Sequence, residues 1–324
     1  MRDDVSDSRT DGAARRDRGF VLRRNLIFVL TPLVVVMIAL VGVGSMASGA
    51  GQNTPPPPAT TTTPPPASDP VTPARAAAAV TAADATAASG ENLGVAILDR
   101  ASGKETDGTG ASVTFPGASV LKLFLITDLF HQQEQGTITL SQPDLTEIGS
   151  ALTVSSDAAM NALWAKYHGA AAISQLIDIA HLSDARMTSS AESGSWSAVP
   201  ISARDVLAVY QYLLTKLNAA DRDLITGDLN RANPVGYQDV NQAFGLLDPA
   251  TRTATTKAKQ GWTGGQGKTV LNTTGILDGK NDIVVAVLSS RPGSATSAQY
   301  DQARQQLDAA TTALIKQLGP NATR

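Results

Sequence analysis

The chain of 324 residues sets 26 lysines and arginines against 29 acidic residues, and this near-balance excludes the basic footprint of a nucleic-acid binder. Cysteine is absent, which rules out thiol nucleophiles, disulfides and cysteine metal sites together. Three histidines, His131, His168 and His181, are scattered and form no HExxH pattern, so no metal or other cofactor is expected.

Residues 1–24 are polar and end in crowded arginines, which read as a cytoplasmic tail. An uncharged apolar run follows from Leu26 to Val43, about the length that spans a bilayer. Arginines precede it and neither lysine nor arginine follows until Arg75, a bias that orients the N-terminus inward. The segment 25–47 therefore reads as a single-pass membrane anchor. Ser48-Gly49-Ala50 offers the alternative of a cleaved secretory signal, and in either case the remainder is exported. Residues 48–75, rich in proline and threonine, form the linker. Such a sequence favours extended polyproline II and makes a semi-rigid stalk.

From residue 76 to 324 the pattern is globular, and we expect a monomeric domain. A helix over 76–88 precedes NLGVAILDR at 92–100, whose apolar residues run on both faces as in a covered strand. Helices are predicted over 119–134, 155–167, 171–181 and 202–218, the last with Ser202 and Asp205 placed to cap it. Strands are predicted over 254–262, 269–277 and 282–289, before a closing helix over 295–318. This order suggests an α/β fold in which one sheet pairs the two ends of the domain and the middle helices form a separate layer.

With no cysteine and poorly placed histidines, a nucleophilic hydrolase would need a serine activated by another base. A lysine of depressed pKa serves. The segment FPGASVLKLFLITDLF places Ser119 and Lys122 three apart, on one face of a helix starting near the serine. A serine there has a free backbone N–H for an oxyanion, and the positive helix end lowers a neighbouring ammonium's pKa. The apolar residues that follow bury the helix, which lowers the lysine further. Trp164 and Trp196 read as packing residues, and Asn161 as a hydrogen-bonder within its helix.

Two further segments complete a pattern. VSSDAAMNALW carries Ser155, Ser156 and Asp157 at another helix start, and KQG at Lys259–Gly261 is the single KxG of the chain. With the SxxK these resemble the SxxK, SDN and KTG elements of the penicillin-recognising serine hydrolases, the class A β-lactamases and DD-peptidases. Ser155 falls in the serine place of the second element, Ser156 in the aspartate place and Asp157 in the asparagine place. Gln260 replaces the threonine of the third.

The resemblance implies a β-lactamase/transpeptidase-like fold: an antiparallel sheet built from both chain ends, flanked by helices, with a helical subdomain. It implies that Ser119 is acylated, that Lys122 takes its proton, and that Ser155 relays a proton to the leaving nitrogen. Lys259 would supply positive charge for a substrate carboxylate, with Gly261 and Thr263 beside it. The N–H groups of Ser119 and Trp262 would form the oxyanion hole. In class A enzymes a glutamate of the omega loop activates the deacylating water. Glu192 is the candidate here, although the asparagine of the ExxLN pattern is missing. The expected function is an extracytoplasmic serine hydrolase acting on β-lactams. The alternatives are a D-alanyl-D-alanine carboxypeptidase or penicillin-binding protein acting on peptidoglycan stem peptides, and a non-catalytic wall-binding relative.

Overall fold

A computed structural model describes residues 71–319, apart from 266, 279, 281, 294 and 295. The expected tail, the anchor over 25–47 and most of the linker lie outside the described residues. Among the described residues, no helix is long and apolar enough to cross a membrane.

Helix α1 (Pro73–Asp84) starts inside the stretch read as linker, because Thr72 caps it and Pro73 supplies a φ already suited to a helix. β1 (Asn92–Asp99) and the short β2 (Lys104–Asp107) follow, then β3 (Phe115–Pro116). The helical layer comprises α2 (Leu121–Glu134), α3 (Gln142–Thr153), α4 (Asp157–Lys166), α5 (Gly169–Ile179) and the single-turn α6 (Ser189–Glu192). β4 (Pro200–Ile201) pairs with β3, and α7 (Ala203–Lys216) and α8 (Ala219–Asn230) come next. The chain closes with β5 (Lys257–Gly265), β6 (Lys268–Ile276), β7 (Ile283–Pro292) and α9 (Ser297–Leu318).

The main sheet is antiparallel, in the order β2-β1-β7-β6-β5, so β1 from the start of the domain pairs with β7 from its end. Alternation along these two central strands divides the core. Val95, Ile97, Val285 and Val287 face α1 and α9, whereas Ala96, Leu98, Val284, Ala286 and Leu288 face the helical layer. With both faces covered, the middle of each strand, Val95–Leu98 and Ile283–Leu288, is a continuous apolar run.

Six elements have no counterpart among those expected: the very short β3, α6 and β4, and three longer ones, β2, α8 and α3. β2 is a four-residue edge strand, KETD, mostly exposed and without an apolar stripe. α8 is polar through its first turns and starts from an Asn218 cap. α3 carries a capping box, Ser141 with Asp144, that was available as a signal. Ser202 and Asp205 form the capping box expected of α7.

α2 is buried nearly all round and runs through the helical layer. It carries a charge it does not accommodate well. Asp128 is fully buried, Gln132 Nε2 donates to its Oδ2 at 2.5 Å, and its Oδ1 has no partner among the described residues. Burial pushes this carboxyl up to about 6. Because the folded pKa stands above the unfolded one, the penalty is fully present above about pH 6 and is relieved as pH falls towards 4. The penalty is on the order of 2 kcal/mol. Asp128→Asn is therefore expected to raise the melting temperature by a few degrees at pH 8, and the advantage should vanish near pH 4. Thermal melts of both proteins across this range check it; an equal or lower melting temperature at pH 8 refutes the assignment.

Candidate active site

Ser119 is the middle residue of a single 3₁₀ turn, Ala118–Val120, which leads directly into α2. The turn begins under strain, since Ala118 has φ 47°, in the left-handed region. It is clamped from several sides. Gly117 N–H donates to the Val199 carbonyl at 2.9 Å, and Asn272 Nδ2 on β6 donates to the Pro116 carbonyl at 3.0 Å. On β5, Gly261 approaches so closely that a Cβ there would lie 3.1 Å from the Gly117 oxygen and 3.2 Å from the Val120 nitrogen. A side chain at 261 would displace the serine turn.

A second strained residue lies opposite. Ser155 has φ 58° and precedes α4, whose N-cap is Ser156, with the Ala159 N–H donating to its hydroxyl at 3.1 Å. The cap fixes the start of α4, and with it the positions of Ser155 and Asp157 on either side.

Lys122 Nζ lies 2.6 Å from Ser119 Oγ, 2.7 Å from Asp157 Oδ1 and 3.4 Å from Ser155 Oγ. Lys259 Nζ reaches the same Ser155 Oγ at 2.8 Å and the Gln260 carbonyl at 2.8 Å. Both lysines are buried, while the side chain of their counter-ion Asp157 is 54% exposed. Burial lowers Lys122 to about 8, against the opposing pull of the Asp157 carboxylate and its hydrogen bond. Burial, with the nearby Lys122 charge, holds Lys259 well below the usual lysine range. Two cations in one dry site with one carboxylate cannot both keep their protons cheaply. An amine so placed can accept a proton from the Ser119 hydroxyl, and a hydroxyl bridging two amines can pass one between them.

The structure therefore brings together Ser119, Lys122, Ser155 and Lys259, residues drawn from three separate segments. Alternation along β5 puts Thr263 on the face of Lys259 and Gly261. Trp262 turns the other way, its ring edge-on to Phe244 at a centroid distance of 6.5 Å. Gln260 also turns away, and its amide Nε2 donates to the carbonyls of Phe244 and Gln242. Glu192 is not brought in. It is exposed on α6, and its carboxylate has no partner among the described residues.

Two contacts were not anticipated. Trp196, read as a packing residue, lies with its ring centroid 4.7 Å from Lys122 Nζ, and its indole N–H donates to Asn161 Oδ1 at 2.8 Å. Asp157 was noted for its place in the second element, but its ion pair with Lys122 was not foreseen.

The fold that carries this cluster is that of the β-lactamases and penicillin-binding proteins. It superposes on a β-lactamase from Chitinophaga pinensis with a TM-score of 0.56 and 17% identity, over 72% of this chain and 96% of the other. It superposes equally, with a TM-score of 0.56 and 17% identity, on the structure of PBP-A, over 74% of this chain and 96% of that one. No protein-family model matches the sequence. The protein named Putative lipoprotein LppW, from Mycobacterium tuberculosis and from Mycobacterium bovis, is 30% identical over 222 residues, 67% of this chain and 69% of its own. The chain belongs to the LppW family.

Proposed function

We propose that the protein is an extracytoplasmic serine hydrolase whose Ser119 is acylated by β-lactams or by peptidoglycan stem peptides. The observation that carries this reading is the buried Lys122 amine, lowered to about 8 and lying 2.6 Å from the Ser119 hydroxyl. Lys122 takes the hydroxyl proton as Oγ attacks the amide carbonyl carbon. The C–N bond breaks, and the leaving nitrogen takes a proton passed through Ser155, which Lys259 and Lys122 both contact. The oxyanion is held by the Ser119 N–H, ahead of any intrahelical acceptor, and by the Trp262 N–H of β5, the edge strand of the sheet. Lys259, with Thr263 on the same strand face, receives a substrate carboxylate.

Between the two substrates, the exposed and unpartnered Glu192 favours the penicillin-binding reading, because rapid hydrolysis of the ester needs a positioned base. Anchoring fits the apolar run over 25–47. LppW is named a lipoprotein, but this sequence has no cysteine, the residue that carries thioether and thioester lipids.

The test is treatment of the purified protein with a fluorescent penicillin followed by peptide mass spectrometry. We expect one adduct, on the peptide containing Ser119, and none on Ser119→Ala. A wild-type protein left unmodified at high probe concentration would support the non-catalytic reading.

A further inference from the structure

The Lys122 amine is enclosed on every side. Ser119, Asp157 and Ser155 lie 2.6, 2.7 and 3.4 Å from Nζ and occupy its three polar directions, and the Trp196 indole packs beside it at 4.7 Å. No part of its side chain is exposed. The indole is held in place at two points. Asn161 of α4 accepts its N–H at 2.8 Å, and the 3₁₀ turn that carries it, Trp196–Ala198, runs into Val199, whose carbonyl accepts the Gly117 N–H. The ring is therefore fixed to the same backbone that positions Ser119.

This enclosure bears on the second half of the reaction rather than the first. Proton transfer from Ser119 to Lys122 is direct and needs no water. Hydrolysis of an ester on Ser119 needs a water within one hydrogen bond of a base. The nearest base is Lys122, whose polar directions are taken by three side chains and whose surroundings are closed by the Trp196 ring, so a water can reach it only by displacing one of these groups.

We propose that Trp196, pinned by Asn161, shields Lys122 from water, so that the acyl-enzyme on Ser119 is long-lived and the protein captures its acyl donor rather than turning it over. The inference rests on acylation of Ser119. It assigns to Trp196 and Asn161 a positioning role in the fate of the ester: water attack, with loss of the carboxylic acid and return of the proton to Ser119, is slow because no activated water can stand beside the amine.

The experiment follows decay of the fluorescent-penicillin adduct on the full-length protein. We expect Trp196→Ala to lose its label at least tenfold faster than wild type, Trp196→Phe to stay within about threefold, and Asn161→Ala to fall between them. Acylation rates should change less than decay rates, which a general loss of structure would not produce. Asn161 is exposed, so Asn161→Ala decides the matter if Trp196→Ala does not fold. Decay equal to wild type in folded Trp196→Ala or, where that does not fold, in Asn161→Ala overturns the shield.

A second measurement separates this failure from failure of the acylation reading. Trp196 emission, taken as the difference between wild type and Trp196→Phe, should change with pH and lose that change in Lys122→Met. If no adduct forms at all, the long-lived ester falls with the acylation reading, and the titration still decides whether the indole covers the amine. A pH dependence that survives in Lys122→Met does not come from this amine and overturns the contact.

Discussion

Lys122→Ala is expected to slow acylation of Ser119 by about 10²- to 10⁴-fold, the usual contribution of a positioned general base. Nothing else within reach can replace it. Lys259 contacts Ser155 and the Gln260 carbonyl, and no hydrogen bond joins it to Ser119. Asp157 meets Lys122 and not the serine. Stability should change little. The substitution opens a cavity where the lysine stem packs, but it also removes the cost of holding a charge at a fully buried position. Asp157 loses its partner in water, because more than half of its side chain is exposed, so no uncompensated buried charge is left behind. Rates of adduct formation, measured beside circular dichroism and a thermal melt, check both halves. Acylation within fivefold of wild type would remove Lys122 as the base.

Asp157→Asn is expected to move the acidic limb of the acylation profile to lower pH by about one unit or more, the size of shift that a close opposite charge produces. In the wild type burial lowers Lys122 to about 8, and Asp157 opposes this by favouring the ammonium. The proposed base is the neutral amine, so acylation should rise as pH climbs through about 8. Without the carboxylate, burial acts unopposed, the amine is lowered further, and more of it is neutral at pH 7. The variant should therefore acylate faster than wild type near pH 6.5 and converge with it above pH 9. Asparagine keeps an oxygen that accepts from Lys122, so the geometry survives. A profile that stays in place, or moves to higher pH, would show that Asp157 does not set the protonation of Lys122.

How much of this could be read from the chain differs from element to element. β1 and β7 were legible because a strand covered on both faces carries an unbroken apolar run, here Val95–Leu98 and Ile283–Leu288. The start of α7 was legible because a capping box is written within four consecutive residues. The sheet that joins the two ends of the domain followed from the order of elements. β2 was not legible, since a short exposed edge strand buries no stripe that could mark it. α8 hid for a similar reason, its first turns being polar.

The candidate site divides along the same line. Ser119 and Lys122 are three residues apart on one turn, so their meeting at 2.6 Å is a local matter that helical geometry settles from the sequence. Ser155 and Lys259 could be picked out by motif, but the 2.8 Å contact between them joins a helix start to an edge strand and exists only because the sheet and the helical layer pack together. Asp157 and Trp196 mark the limit. Nothing in the local sequence of either requires it to meet Lys122, and both do so through the placement of α4 and of the turn that leads into β4. The sequence by itself singled out Ser119, Lys122 and Lys259 as the candidates for nucleophile, base and cation. Only the tertiary structure decided the proton affinity of the base and its access to water, because both depend on burial and on neighbouring charge and aromatic surface contributed from distant parts of the chain.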